Sequence, residues 1–183
     1  MNSENPAAGT FTSRMLRAAK LDPELYEEVE ADKSSLGQAT AVVVLSSIAA
    51  GLGNVQAGGL GMLLVGTFGA LASWYIWAFL TYIIGTRLLP EPQTVADHKE
   101  LLRTTGFSSA PGLIRILGIV PGFTGIVYTA ASIWMLIAMV ISVRQALDYT
   151  STWRALAVCG VGWLVQGVVL YFMLSALAMP EGP

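Results

Sequence analysis

No Asp, Glu, Lys or Arg occurs in the 53 residues between Lys33 and Arg87. Charge is missing again from Ile116 to Val143 and from Ala155 to Pro180. An ionised side chain at the centre of a hydrocarbon core costs about 2.5–3.5 kcal/mol on insertion scales. Charged residues make up 12% of the chain, half of the roughly 25% usual in soluble domains. These gaps exclude a soluble globule and point to an integral membrane protein. Other scarcities are equally direct. A lone cysteine, Cys159, rules out an intrachain disulfide and leaves the redox compartment open. A lone histidine, His98, with no CxxC or HxxxH pattern leaves no metal site, and His98 is expected at the surface. There is no Gly-x-Ser-x-Gly elbow and no nucleophile–base–acid set, so no catalytic residue, no cofactor and no enzyme are expected. Gly58-Gly59-Leu60-Gly61 lacks the lysine of a phosphate loop. The net charge of −2 argues against a nucleic-acid partner. The first 35 residues hold no apolar stretch behind a basic start, so no cleaved signal is expected and the first span does the targeting.

What is present is apolar sequence of crossing length. A helix needs about 20 residues to cross a core of roughly 30 Å. The first gap is too long for one span and breaks at Gly53-Asn54-Val55-Gln56-Ala57-Gly58-Gly59, a turn-forming run. Spans one and two are thus expected at 36–52 and 60–84. Val120-Pro121-Gly122-Phe123-Thr124-Gly125 is another turn, since proline removes a donor and glycine loosens the helix. It separates a short third span at 109–120 from a fourth at 126–143. A fifth at 153–179 is stopped by Pro180, leaving a tail of 180–183. The third span carries Arg115 and is thin or tilted; a re-entrant or interfacial helix is the alternative. The fold class is an all-α polytopic bundle of five transmembrane helices behind an N-terminal region of 1–35.

Basic residues in short loops set orientation. They cluster before span one (Arg14, Arg17, Lys20, Lys33), after span two (Arg87, Lys99, Arg103) and after span four (Arg144, Arg154), while the two turns and the tail have none. With five spans, every basic residue falls on the cytoplasmic side or in the near half of span three. That gives an N-terminus inside and a C-terminus outside.

Within 11–20, Phe11, Met15 and Ala19 recur every four residues, and Arg14, Arg17 and Lys20 every three on a neighbouring face. This is a short basic amphipathic helix suited to lying in lipid headgroups. A second helix starts with Asp22 as cap, Pro23 in first position and Glu24 at the positive end. Its Leu21, Leu25 and Val29 share a face beside Tyr26, against acidic Glu27, Glu28, Glu30 and Asp32. It is either a docking surface for a partner or another subunit, or a helix packed on its own spans. The loop of 86–106 holds Pro90, Pro92 and a short helix at 94–103.

Ionisable groups within spans mark function by default, and only Arg115 qualifies. It lies about eight residues, roughly 12 Å, beyond Phe107. It is either a snorkelling structural arginine or a gate, and its partner is Asp148, an acidic loop residue or a lipid phosphate. Small residues four apart (Ser46/Ala50, Ser47/Gly51 and Ala49/Gly53 in span one; Gly66/Ala70 and Gly69/Ser73 in span two) suit packing within the chain. Trp74, Trp77, Tyr82 and Trp153 suit an aromatic belt, while Trp134 and Trp163 suit the core.

Three stretches carry a resemblance: residues 14–32 (RMLRAAKLDPELYEEVEAD), 106–111 (GFSSAP) and 143–154 (VRQALDYTSTWR). Together with five spans they make the chain similar to the Yip domain family, in its bacterial branch, over about 14–179. Gly106-Phe107-x-x-x-Pro111 looks like the Gly-aromatic-x-x-x-Pro stretch that opens that family's third span. The resemblance implies a compact five-helix membrane protein in the bacterial inner membrane. Eukaryotic members bind prenylated Rab-type GTPases and act in vesicle traffic. This chain lacks their Asp-Leu-Tyr-Gly-Pro motif, and its Asp22-Pro-Glu-Leu-Tyr26 shares letters but not order. The expected role is a non-enzymatic scaffold, assembly or membrane-organising factor, with a small-molecule, ion or lipid transporter or channel as the alternative. The expected partners are membrane lipids and a membrane protein or a second copy. The residues expected to meet them are Arg14, Arg17, Lys20, Leu25, Tyr26, Arg115, Arg144, Asp148 and Arg154.

Overall fold

The computed structural model describes residues 9–55 and 61–177; the second half of the first turn, the start of span two and the tail lie outside them. Seven α-helices and no strand occur among the described residues. Two short helices come first: α1 (Phe11–Ala19), capped by Thr10, and α2 (Pro23–Ala31), capped by Asp22. Leu21 joins them with a φ of 63°, the left-handed turn that reverses the chain. Then follow α3 (Leu36–Gly53), α4 (Gly61–Ile83), α5 (His98–Phe107), α6 (Thr124–Ala146) and α7 (Thr152–Leu177). A π-turn, Ile84–Leu88, ends α4, and a 3-10 segment, Ala110–Ile119, follows α5. Four helical stretches are long and apolar enough to cross a membrane: Lys33–Gly53, Leu63–Leu88, Thr124–Ala146 and Thr152–Val169.

The stretch expected as a short third span has a different construction. Helix α5, opened by a capping box of Asp97 and Glu100, runs almost directly into the 3-10 segment. Ten α-helical residues rise about 15 Å, and ten 3-10 residues about 20 Å. At about 35 Å together they exceed the roughly 27 Å of α3, and from Gly106, which faces Ala39, they run beside it in the same direction. Three glycines set the register. A Cβ at Gly106 would lie 2.8 Å from the Ala39 Cβ and 3.1 Å from the Ala39 carbonyl oxygen. One at Gly112 would strike Ser46 and sit 2.8 Å from the Met135 sulfur, and one at Gly118 would sit 3.0 Å from the Gly53 oxygen. From Gly112 to Gly118 is two 3-10 turns, about 12 Å, and from Ser46 to Gly53 two α-turns, about 10.5 Å. Small residues six apart on one strand of the seam therefore meet small residues seven apart on the other. By contrast, Gly66 and Gly69 of α4 face open space, so the pattern expected to pack in span two does not.

The core is concentrated at one end. Trp77, Ala78, Leu101, Leu102, Val143, Leu147 and Val158 form one buried cluster. Leu25, Tyr26, Val29, Ala39, Val42 and Phe107 form the other. Helix α5 is buried from Leu101 through Phe107 and touches α2, α3, α4 and α6. Toward the opposite end, α4 packs on α3 through Leu63 against Gly51 and Thr67 against Ser47, while the outer faces of α4 and α7 stay open, with Phe68 71% and Leu164 72% exposed. Such apolar surface is the norm for helices facing lipid.

Candidate functional site

All three charged islands gather at the end where α1 and α2 lie. Arg14 is buried and donates to Glu28 Oε1 at 2.8 Å and to Gln38 Oε1 at 2.9 Å, with Asp32 Oδ2 also at 2.9 Å. Arg17 bridges Asp22 Oδ2 at 2.7 Å and Glu28 Oε2 at 2.5 Å. Hydrogen bonding to Arg17 lowers the Asp22 carboxyl, and the Ser34 hydroxyl, aided by Arg14, lowers Asp32. Burial would raise Glu28, but the combined bonds from Arg17 and Arg14 outweigh it and hold it low. The basic face of α1 thus turns inward onto acidic α2 rather than outward onto headgroups. The expectation from periodicity missed this because spacing fixes which residues share a face, not what that face meets. Lys20 alone of the three is exposed. Leu25 and Tyr26 are wholly buried, so α2 packs on the chain's own spans and offers neither residue to a partner. Burial pushes the Tyr26 hydroxyl well above its usual range.

Arg103, which the sequence places at the end of a short helix at 94–103 with no role, fastens this cap. Its buried guanidinium donates to Val29 O at 3.1 Å and to Glu30 O. Those carbonyls close the negative end of α2, where a cation is favoured. The signal was present in Leu101-Leu102-Arg103, an arginine flanked by apolar residues on what proves a buried helix. Beside it, burial and the nearby Asp148, Glu100 and Glu27 carboxylates push Glu30 up to about 8. Gln145 Nε2 of α6 donates to Glu27 Oε1 at 2.7 Å, tying α2 to a further span.

The other two islands are stitched to each other through Glu91. Its Oε2 accepts from the Thr150 amide at 3.0 Å, the Thr150 hydroxyl at 2.8 Å and Gln93 at 2.6 Å. The Thr150 amide leads in lowering this carboxyl. Tyr149 donates its hydroxyl to Gly85 O at 2.9 Å and Leu89 O at 2.8 Å. These are carbonyls that the π-turn leaves available. Arg154 donates to Pro90 O at 2.9 Å and Arg144 to Tyr149 O at 3.2 Å. Asp148, with φ 52°, is exposed and offers its carbonyl to Gln93. Hence Arg144, Asp148 and Arg154 lie together as expected from sequence, and their main contacts brace two loops. His98 is not a plain surface residue. It stands edge-on to Tyr75, Phe79 and Tyr82, with ring centroids 5.0, 5.6 and 6.3 Å away. Among the described residues no group of three His, Cys, Asp or Glu is placed to hold a metal ion.

Arg115 sits at the other end of the molecule, its carbonyl against Gly53, the last residue of α3. Asp148 is therefore not its partner. The guanidinium donates to Ser132 Oγ at 3.2 Å and lies 5.6 Å from the Tyr128 ring centre. Tyr128 itself donates to Ala50 O. A cavity of about 230 Å³ opens beside Arg115, lined by Ser132, Met135, Leu136, Met139 and Trp163. A second, of about 220 Å³, shares Met139 and Trp163 and reaches Ser73, Thr105 and Gln166. Trp163 is 56% exposed and walls both, so it is not the core residue its position in span five suggests. Trp134 reaches across to α1, donating to Ala19 O at 2.8 Å.

Comparison with curated proteins and with solved structures gives no match. Residues 21–174 match the Yip1 domain family. That stretch takes in α2, all the spanning helices, the glycine seam and both braced loops. With four apolar helices of crossing length, the chain is an integral membrane protein, and it belongs to the Yip1 domain family.

Proposed function

We propose that this chain is a non-enzymatic membrane scaffold or assembly factor that holds a preformed polar platform against the membrane for a membrane-protein partner or a second copy. The supporting observation is the cap. Two helices before the first span are clamped to the bundle by the buried Arg14 and Arg103 rather than left free. An ordered surface costs less to bind than a segment that must fold on contact. On that end Leu16 is 57% exposed, Val95 80% and Trp153 80%, apolar contacts of the kind that anchor interfaces. The reading includes five crossings, with the platform in the cytoplasm and the C-terminus outside, in the bacterial inner membrane. Its supports are nine of the ten basic residues gathered at one end, with Arg115 alone at the far end rather than in the near half of span three, and the composite α5 and 3-10 run long enough to pass α3. Partners among membrane proteins are in keeping with the family. Transport rests on Arg115 alone and draws no added support from the family or the fold.

The test is copurification of the tagged chain at native abundance in a mild detergent. The expected result is a stoichiometric membrane partner or a defined homo-oligomer, weakened by Leu16→Glu or Trp153→Glu. A monomer with no associated protein overturns the proposal.

A further inference from the structure

The groove beside Arg115 has the composition of an amphiphile site. Arg115 carries a full charge within the spans, yet it has no carboxylate partner among the described residues. No Asp or Glu occurs from 34 to 86, from 104 to 147 or from 155 to 180. A guanidinium has five N–H donors; here only Nη2 donates, to Ser132, and Nε is buried without an acceptor. A partly buried cation without a counter-charge is costly, and such residues are retained where an anion meets them.

The surroundings fit one class of anion. The floor next to the cation is polar, with Ser132, and the walls leading away are Met135, Leu136, Met139 and Trp163. The neighbouring cavity continues past Met139 between α4 and α7, whose outer faces are apolar and exposed. A ligand entering here meets a cation at one end and then the apolar walls of Met135, Leu136, Met139 and Trp163, before the polar Ser73 and Gln166 of the second cavity. The depth agrees, because Arg115 is level with Gly53, where α3 ends. That is where headgroups, not acyl chains, begin. We propose that Arg115 and Ser132 bind the phosphodiester of a phospholipid from the leaflet opposite α1 and α2. One acyl chain lies in the groove between α6 and α7. A guanidinium suits this role, since it holds phosphate oxygens in a planar fork. The site is separate from the polar platform and does not depend on the scaffold proposal.

Native mass spectrometry of the full chain, delipidated in mild detergent, tests it. Phosphatidylglycerol in mixed micelles, inorganic phosphate and palmitate are titrated as separate arms. The expected result is one phosphatidylglycerol per chain. Its half-saturation should rise at least tenfold in Arg115→Gln, less in Arg115→Lys, and not in Arg87→Gln at the opposite end. Leu136→Trp, which fills the groove and spares the cation, should also lose the lipid, and it serves if Arg115→Gln does not fold. Equal lipid binding by wild type and either groove variant overturns the proposal. So does palmitate or inorganic phosphate binding as well as the phospholipid.

Discussion

Adding one methyl group to Gly106 should destabilise this protein, whereas adding one to Gly66 should not. The Gly106 Cβ would lie 2.8 Å from Ala39 Cβ, 3.1 Å from Ala39 O and 3.1 Å from Trp74 Cζ2. Two of those atoms belong to the rigid body of α3, so the helices must separate. Overpacking of this kind costs about 1–3 kcal/mol. Replacing a mid-helix glycine by alanine returns about 0.8–1 kcal/mol of helix propensity. Because two of the struck atoms are on α3 and cannot turn aside, the upper half of the overpacking range, about 2–3 kcal/mol, applies, and the net expectation for Gly106→Ala is a loss of about 1–2 kcal/mol. Gly66→Ala keeps the propensity gain, because nothing lies within 4 Å of its Cβ. Gly112→Ala should fall between them, since Ser46 and Met135 can turn aside. At about 2–4 °C per kcal/mol for a chain of this size, thermal unfolding in mild detergent, followed by tryptophan fluorescence, separates the three. A Gly106→Ala protein as stable as wild type, or a Gly66→Ala protein equally weakened, refutes the seam.

Arg103→Met should cost about 1.5–3 kcal/mol by taking its donor from the Glu30 carbonyl and leaving Val29 O with the Ser35 hydroxyl alone, and Arg103→Lys should restore only part of it; thermal unfolding reads both. Stability should also fall as pH rises. Glu30 titrates near 8 in the folded chain against an ordinary 4.5, so the folded state holds a proton between those values that the unfolded state has lost. Unfolding midpoints from pH 5 to 8.5 should therefore decline, and Glu30→Gln should flatten them; a wild-type profile that rises over this range contradicts the assignment. Below about pH 4.5 the sign reverses. Asp22, Glu28 and Asp32 are lowered by their partners, so their stabilisation is lost as the carboxylates protonate. Tyr149→Phe, which removes the one hydroxyl proton shared between Gly85 O and Leu89 O at the π-turn, should cost about 1–2 kcal/mol and loosen the 87–97 loop first in hydrogen exchange.

Much of this architecture is written in where charge is absent. The gaps hold α3, α4, α6 and α7, because helices are the economical way to satisfy the backbone in lipid. Asp22-Pro23-Glu24 marks the start of α2 because capping is local chemistry. What sequence does not disclose is pairing. The three-residue recurrence of Arg14, Arg17 and Lys20 defines a face, but only the fold shows acidic α2 folded back beneath it. A short helix is legible at 94–103, but its charged Lys99, Glu100 and Arg103 hide that it continues into the third run until Arg103 is seen bonded to the α2 carbonyls. The 3-10 winding of Ala110–Ile119 is a tertiary choice, set by close contact with α3, and leaves only Gly112 and Gly118 as traces. Arg115 was visible as a lone cation, but its groove depends on how α6 and α7 pack beside it, which no periodicity encodes.

The most direct test of the account is the sidedness of the 3-10 segment. Single cysteines at Lys20 and Phe123, in a Cys159→Ser background, are labelled in intact cells and in inverted vesicles with a membrane-impermeant maleimide. Both positions are exposed. If α5 and the 3-10 segment cross beside α3, Phe123→Cys reacts from outside the cell and Lys20→Cys only in inverted vesicles. If both react from the same side, the third crossing does not exist and the glycine seam is no transmembrane contact.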